Sequence, residues 1–225
     1  MSAAPLAGVL FDLDGTLVDT APDLAHALNA ARAAEDLPPL PLAQVRPHVS
    51  RGGRGLVEIG FDDATGPPAA QADRRRARLL AAYAEAVCVD SALFPGMAAM
   101  LAQLESAGVS WGIVTNKPLR FTTPLLDALS LSSRAAVVVC GDTLAQSKPD
   151  PAPVRHALAQ AGLPAVDTLM IGDDPRDVQA GRAAGTRTAV AGWGYLGATP
   201  ARADWGADHW FDDVSTMRVK LLNWL

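Results

Sequence analysis

A chain of 225 residues with 49% hydrophobic content is long enough for one large domain, or for a core carrying a smaller insertion. Its net charge of −5 and isoelectric point near 5.3 give no support to nucleic-acid binding, so any anion site must make its own positive field. Cys88 and Cys140 belong to no C-x-x-C pair and read as reduced thiols, and no apolar run approaches the ~20 residues that a membrane span needs.

Gly8 to Phe11 is a short apolar run suited to a buried parallel strand. Asp12, Asp14, Gly15 and Thr16 follow it at once. The segment Met1 to Phe11 has no basic leader and runs straight into these carboxylates, so a cleaved signal peptide is not expected and a cytoplasmic setting is. Thr20-Ala21-Pro22-Asp23 reads as a helix start with Thr20 as cap. Leu24, Ala27, Leu28 and Ala31 then recur at helical spacing until Pro38–Pro41. Leu42–His48 reads as a short helix containing Pro47. Ser50-Arg51-Gly52-Gly53-Arg54-Gly55 reads as a turn whose glycines permit close approach to a ligand and whose arginines offer planar donors. A short helix at Leu56–Phe61, a loop at Asp62–Pro68 and a long helix over Pro67–Cys88 complete this region. The basic run Arg74–Arg76 with Arg78 reads as a solvated face.

Phe94-Pro95-Gly96 breaks the helical pattern, and strands then alternate with helices. Strands are expected at Val109–Val114, Ala135–Cys140, Thr168–Ile171 and Thr188–Val190. Helices are expected from Met97 to Gly108, over Phe121–Leu129, over Pro151–Ala161 and up to Ala184. The tail is less regular, with an edge strand at His209–Phe211. This alternation predicts an α/β fold: a doubly wound, Rossmann-like parallel sheet. The core spans residues 1–19 and 94–225, and residues 20–93 form an inserted all-helical cap.

In such sheets ligands bind beyond the carboxyl ends of the strands. Asp12 and Asp14, Thr115 and Asn116, and Asp173 stand at three of those ends, and Lys148 follows the third strand. Close carboxylates attract a hard cation, and Mg²⁺ prefers oxygen ligands. An Asp can attack phosphorus to form an aspartyl-phosphate. Thr115 and Asn116 can donate to phosphoryl oxygens, Lys148 can supply a point charge, and Asp173 can add a metal ligand.

Asp12-Leu13-Asp14-Gly15-Thr16, Thr115-Asn116, Lys148-Pro149 and Gly172-Asp173-Asp174-Pro175-Arg176-Asp177, in this order, resemble the four motifs of the haloacid dehalogenase-like hydrolases. The resemblance implies a Mg²⁺-dependent phosphatase acting on a small phosphate monoester, with Asp12 as nucleophile and Asp14 as general acid/base. It implies Mg²⁺ ligands from the Asp12 carboxylate, the Asp14 backbone carbonyl and Asp173. Gly15, Thr115, Asn116 and Lys148 would hold phosphate, and Asp177 would order the loop from behind. Asp174 has no assigned role, since many relatives carry Ser there. The chain looks most like the phosphoglycolate phosphatase branch. The stretches Trp111–Pro118, Gly181–Thr188 and Trp205–Asp208 resemble N-acetylmuramic acid 6-phosphate phosphatases. Arg51 and Arg54 are the candidates for binding the substrate's other end. No nucleic-acid or membrane partner is expected, and a monomer or homodimer is. A sugar phosphomutase and a phosphoacceptor switch are the alternative readings.

Overall fold

The computed structural model describes residues 5–61, 69–196 and 205–224. The sheet has six strands in the order β5-β4-β1-β6-β7-β8, and every pairing in it is parallel. β1 (Gly8–Phe11) is central and apolar on both faces: Val9 and Phe11 enter the largest apolar cluster, and Leu10 enters a second one on the opposite face. Phe11 lies beside Ile113 of β4 (Ser110–Val114) on one side and Ile171 of β6 (Thr168–Gly172) on the other. That register brings Asp12, Thr115 and Asp173 to one edge of the sheet.

Helices cover both faces. α7 (Ala152–Ala161) and α8 (Pro175–Ala184) pack Val154, Leu158 and Ala180 against Leu10. α5 (Met97–Ser106) and α6 (Leu119–Ala128) pack with Val9 and Phe11. β5 is shorter than expected: only Val138–Val139 pairs with β4. β7 (Arg187–Ala191) and the edge strand β8 (His209–Phe211) lie where the sequence puts them. The tail is more regular than expected, because Asp213 caps a helix, α9 (Val214–Leu222), by accepting from the Thr216 N–H at 2.7 Å.

The chain enters and leaves its helical insertion side by side. β2 (Val18–Asp19) and β3 (Ala92–Leu93) pair antiparallel, a two-residue ribbon too short to signal itself in sequence. Between them lie α1 (Ala21–Ala33), α2 (Leu42–Val45), a 3₁₀ turn over Arg46–Arg51, α3 (Gly52–Phe61) and α4 (Ala69–Glu85). Leu28, Leu56, Leu79 and Tyr83 of the insertion belong to the same apolar cluster as Phe11 and Ile113, so the core runs unbroken from sheet to insertion. Three local expectations fail here. The glycine-rich stretch is not a turn between helices but the start of α3 itself, entered through Gly52 at φ +67°. Thr20 precedes α1 without capping it, since its hydroxyl donates to Asp14 Oδ1 at 2.5 Å instead. Arg75 is not on a solvated face: it is buried, donates to Glu35 at 2.6–3.1 Å, and lies 4.2 Å from the Phe61 ring centre. The loop expected over Asp62–Pro68 lies outside the described residues.

Asp23 closes the insertion. Its buried carboxylate accepts from the backbone N–H groups of Val89, Asp90 and Ser91 at 2.9–3.2 Å and from the Ser91 hydroxyl at 2.6 Å. One side chain near the entry thus holds the returning strand. Asp23→Ala leaves these donors without their acceptor, and its unfolding free energy should fall by about 2 kcal/mol in urea denaturation.

Candidate active site

Asp12 follows β1, and its N–H donates to Ile171 O at 2.8 Å, which keeps it in register with β6 as the chain begins to turn. Gly15 completes that turn at φ +85°, where a Cβ would stand 2.2 Å from Asp173 Oδ2. Both the backbone angle and the space require glycine. The expected phosphate-holding Gly15 therefore also gives Asp173 its room.

Lys148 is the centre of charge. It is buried, its Nζ lies 2.8 Å from Asp12 Oδ1 and 2.6 Å from Asp177 Oδ1, and it donates to Val114 O at 2.6 Å. Burial alone would pull the ammonium pKa down, but Asp12 and Asp177 hold it above its ordinary value. Asn116 fixes the lysine's backbone. Its Oδ1 accepts from Lys148 N at 3.0 Å and its Nδ2 donates to Lys148 O at 2.9 Å. The Asn116 amide, expected to face phosphate, places the lysine through one N–H and its carbonyl oxygen, and Asn116 also lines the cavity over the site. Thr115 is buried and accepts from Lys117 N at 3.1 Å.

Carboxylate oxygens of Asp12, Asp173 and Asp177 lie within 4.8 Å of one another, and all three residues are buried. Asp173 accepts from the Thr16 hydroxyl at 2.9 Å, the Tyr195 N–H at 2.8 Å and the Ser50 hydroxyl at 3.0 Å. Burial, then Asp12 and Asp177, push its carboxyl well above the usual range. Burial likewise raises Asp177 to about 7 against the pull of Lys148. Three buried acids facing one ammonium leave negative charge uncompensated, and an all-oxygen donor set suits a hard divalent cation. The residues therefore fit Mg²⁺. The trio shares Asp12 and Asp173 with the expected ligand set and adds Asp177, expected behind the site; the third expected ligand, the Asp14 carbonyl, is a backbone group and so lies outside this set of carboxylates. Asp177 also accepts from Asp174 N at 3.1 Å in the capping box of α8.

Asp14 stands beside the trio with its carboxylate held separately. Its Oδ1 takes the Thr20 hydroxyl and, at 2.9 Å, the ammonium of Lys117. Lys117 is buried and lies 4.5 Å from the ring centre of Tyr83, which reaches it from α4. The sequence reading passed over this lysine. Its signal was its place directly after Thr115-Asn116, at the same strand end.

A cavity of about 310 Å³ opens above these groups, with Asp12, Asp14, Thr115 and Lys148 among the residues lining it. Arg51 and Arg54 both line it as well. Arg51 is paired with Glu58 one helical stretch away. Arg54, together with Arg76 of α4 and Arg120 of α6, lines the cavity without an acidic partner among the described residues.

The haloacid dehalogenase-like hydrolase family profile matches residues 6–185. The chain belongs to the haloacid dehalogenase-like hydrolase family. It is 43% identical over 208 residues to the N-acetylmuramic acid 6-phosphate phosphatase of Pseudomonas aeruginosa, covering 92% of this chain and 91% of that one. It is 41% identical over 200 residues to the phosphoglycolate phosphatase of Xanthomonas campestris, covering 89% of each. Its fold is similar to the crystal structure of a predicted phosphoglycolate phosphatase from Haemophilus somnus, with a TM-score of 0.83, 27% identity, and coverage of 96% and 98%. The enzyme class is that of a phosphoric monoester hydrolase. Among the described residues no helix is long and apolar enough to cross a membrane.

The tightness around Gly15 is directly testable. Gly15→Ala should cost about 1–2 kcal/mol of stability for its left-handed backbone. It should also cut phosphate release at least about tenfold, the effect of ~1.4 kcal/mol at the transition state. Chemical denaturation and a phosphate-release assay on the same preparation measure both.

Proposed function

We propose that the protein hydrolyses a small, carboxylated phosphate monoester in two steps through an aspartyl-phosphate on Asp12, with Mg²⁺ as cofactor. The supporting observation is the buried group of Asp12, Lys148, Asp173 and Asp177 beside Asp14 on one cavity. Asp12, Asp173 and Asp177 would hold the ion, and bound Mg²⁺ supplies charge neutralisation to the phosphoryl oxygens.

The Asp12 oxygens divide the work. Oδ1 faces the Lys148 ammonium, leaving Oδ2 to form the bond to phosphorus as the ester P–O bond breaks. Lys148 screens the approaching phosphate from the carboxylate that attacks it. Asp14 gives a proton to the departing alcohol oxygen. In the second step it takes a proton from water, whose oxygen attacks phosphorus and frees Asp12 and inorganic phosphate. Thr20 and Lys117 both engage Asp14 Oδ1, and no hydrogen bond from a described group reaches Oδ2. The proton passes through Oδ2. The Thr115 hydroxyl and the backbone turn at Gly15 hold the phosphoryl oxygens.

Residues 20–93 act as a cap over the core of residues 1–19 and 94–225, closing around the substrate and excluding water from the first step. N-acetylmuramic acid 6-phosphate and 2-phosphoglycolate are the candidate substrates, from the relatives' names. Both carry a carboxylate, which suits a free guanidinium. With Arg51 held by Glu58, Arg54 is the better placed of the two arginines at the head of α3.

The deciding experiment is phosphate release from a panel of esters that includes both candidates, with Mg²⁺ and with excess chelator. Sustained turnover that chelator stops and Asp12→Asn abolishes is the expected result. Turnover by a folded, undeamidated Asp12→Asn protein overturns the assignment of the nucleophile. A single slow turnover identifies a phosphoacceptor switch, and dependence on a bisphosphate activator identifies a mutase.

Arg54→Ala should lower kcat/KM for the carboxylated substrate about ten- to a hundredfold, the worth of one charge-assisted hydrogen bond. It should barely change kcat/KM for p-nitrophenyl phosphate, which has no carboxylate. Steady-state kinetics on the two substrates give the ratio.

A further inference from the structure

Asp174 has no place in the chemistry above, and Arg176 none either, yet both are held in a single geometry. Asp174 caps α8 by accepting from the Arg176 N–H at 2.9 Å. The same carboxylate also grips the Arg176 side chain: Nε donates to Oδ1 at 2.7 Å and Nη2 to Oδ2 at 2.9 Å. A guanidinium held as a fork by its own helix cap has little freedom left. Its Nη2 is aimed out of the core, where it donates to the backbone carbonyl of Ser50 at 2.7 Å, 126 residues away in the chain.

Ser50 belongs to the insertion. Its carbonyl receives Arg176, and its hydroxyl donates to Asp173 Oδ2 at 3.0 Å. One residue of the insertion is therefore bound twice by the stretch Asp173–Arg176, once through its backbone and once through its side chain. The same 3₁₀ turn is tied at its other end, where Arg46 donates to both oxygens of Asp19 at 2.9 Å. Val49 beside Ser50 is buried and anchors the segment through its apolar side chain.

We propose that Asp174 and Arg176 are positioning residues that hold Ser50 against Asp173, so that seating the insertion and setting a metal-ligating carboxylate are one event. With the insertion seated, Asp173 has three donors: Thr16, Tyr195 N–H and Ser50. The first two belong to the core and stay with Asp173 when the insertion swings away. Ser50 leaves with the insertion, and Asp173 Oδ2 then keeps one donor, the Tyr195 N–H, in place of two. Asp174, whose carboxylate is engaged by Arg176, is not one of the three clustered acids. A serine at that position could still cap α8 but could not hold the fork.

The test uses the full chain, with hydrogen exchange followed by mass spectrometry and with Mg²⁺ binding by calorimetry. Arg176→Gln and Asp174→Ser, the second of which preserves a helix cap, should each raise exchange over residues 46–54 by about tenfold, the effect of losing one charge-assisted hydrogen bond. Exchange within α8 should not change. Ser50→Ala keeps the carbonyl contact, so it should leave exchange over residues 46–54 near wild type. It should weaken Mg²⁺ binding about tenfold, as loss of a partner behind a metal ligand does. Unchanged exchange over residues 46–54 in Arg176→Gln overturns the proposal, and so does equal loosening of α8, which would make the pair a helix cap and nothing more. Unchanged Mg²⁺ affinity in Ser50→Ala overturns the link to Asp173. The exchange measurement needs neither turnover nor metal, so its failure is separable from failure of the proposed hydrolysis.

Discussion

The Lys148 ammonium, buried between Asp12 and Asp177, is the constraint on which the rest of the site depends. Removing either side of a buried ion pair leaves an uncompensated charge in a poorly solvating interior. The surrounding structure is arranged to prevent that. Val114 O takes one ammonium proton, Asn116 holds the lysine backbone from both sides, and Asp177 is fixed in turn by the capping box of α8. Even so, the acids outnumber the lysine, and that excess suits a hard divalent cation. Burial lifts the carboxyls of Asp173 and Asp177 and strengthens the electrostatic interactions among them.

The helical insertion is joined to this charge network as well as to the apolar core. Lys117 stands between Asp14 and the Tyr83 ring of α4, Tyr195 lies between Asp173 and the start of α1, and Ser50 lies between Asp173 and Arg176. Each tie ends on or beside a carboxylate of the site. The Tyr195 hydroxyl shows the arrangement most plainly. It donates to Asp19 Oδ1 at 2.7 Å and accepts from Ala21 N at 2.9 Å, while its own N–H serves Asp173. The seating of the insertion and the placement of the acids therefore share the same hydrogen bonds.

Much of this is legible in the sequence. Gly8–Phe11, Trp111–Val114 and Leu169–Gly172 are continuous apolar runs, and a polar group follows each, because a parallel strand buried on both faces tolerates polarity only at its end. That rule alone placed Asp12, Thr115 and Asp173 together. The chemistry of the residues, with the order of the motifs, then pointed to phosphoryl transfer. Legibility failed where the decisive partner lies far away in the chain. Arg75 has the composition of a solvated run, and only the distant Glu35 and Phe61 account for its burial. Lys117 reads as an ordinary residue after a strand until Asp14, 103 positions away, meets it.

The sequence by itself determined the sheet, its parallel sense, the interrupting helices and the set of acids at the strand ends, because apolar periodicity and strand-end polarity are local properties. Tertiary structure alone decided what each polar group does there. Asn116 serves Lys148, Asp177 stands among the three clustered acids, Arg51 is paired with Glu58, and Asp174 grips Arg176. A hydrogen-bonding side chain takes whichever partner the packed interior leaves within reach. That choice is made by topology and burial, across separations over which sequence carries no periodic signal.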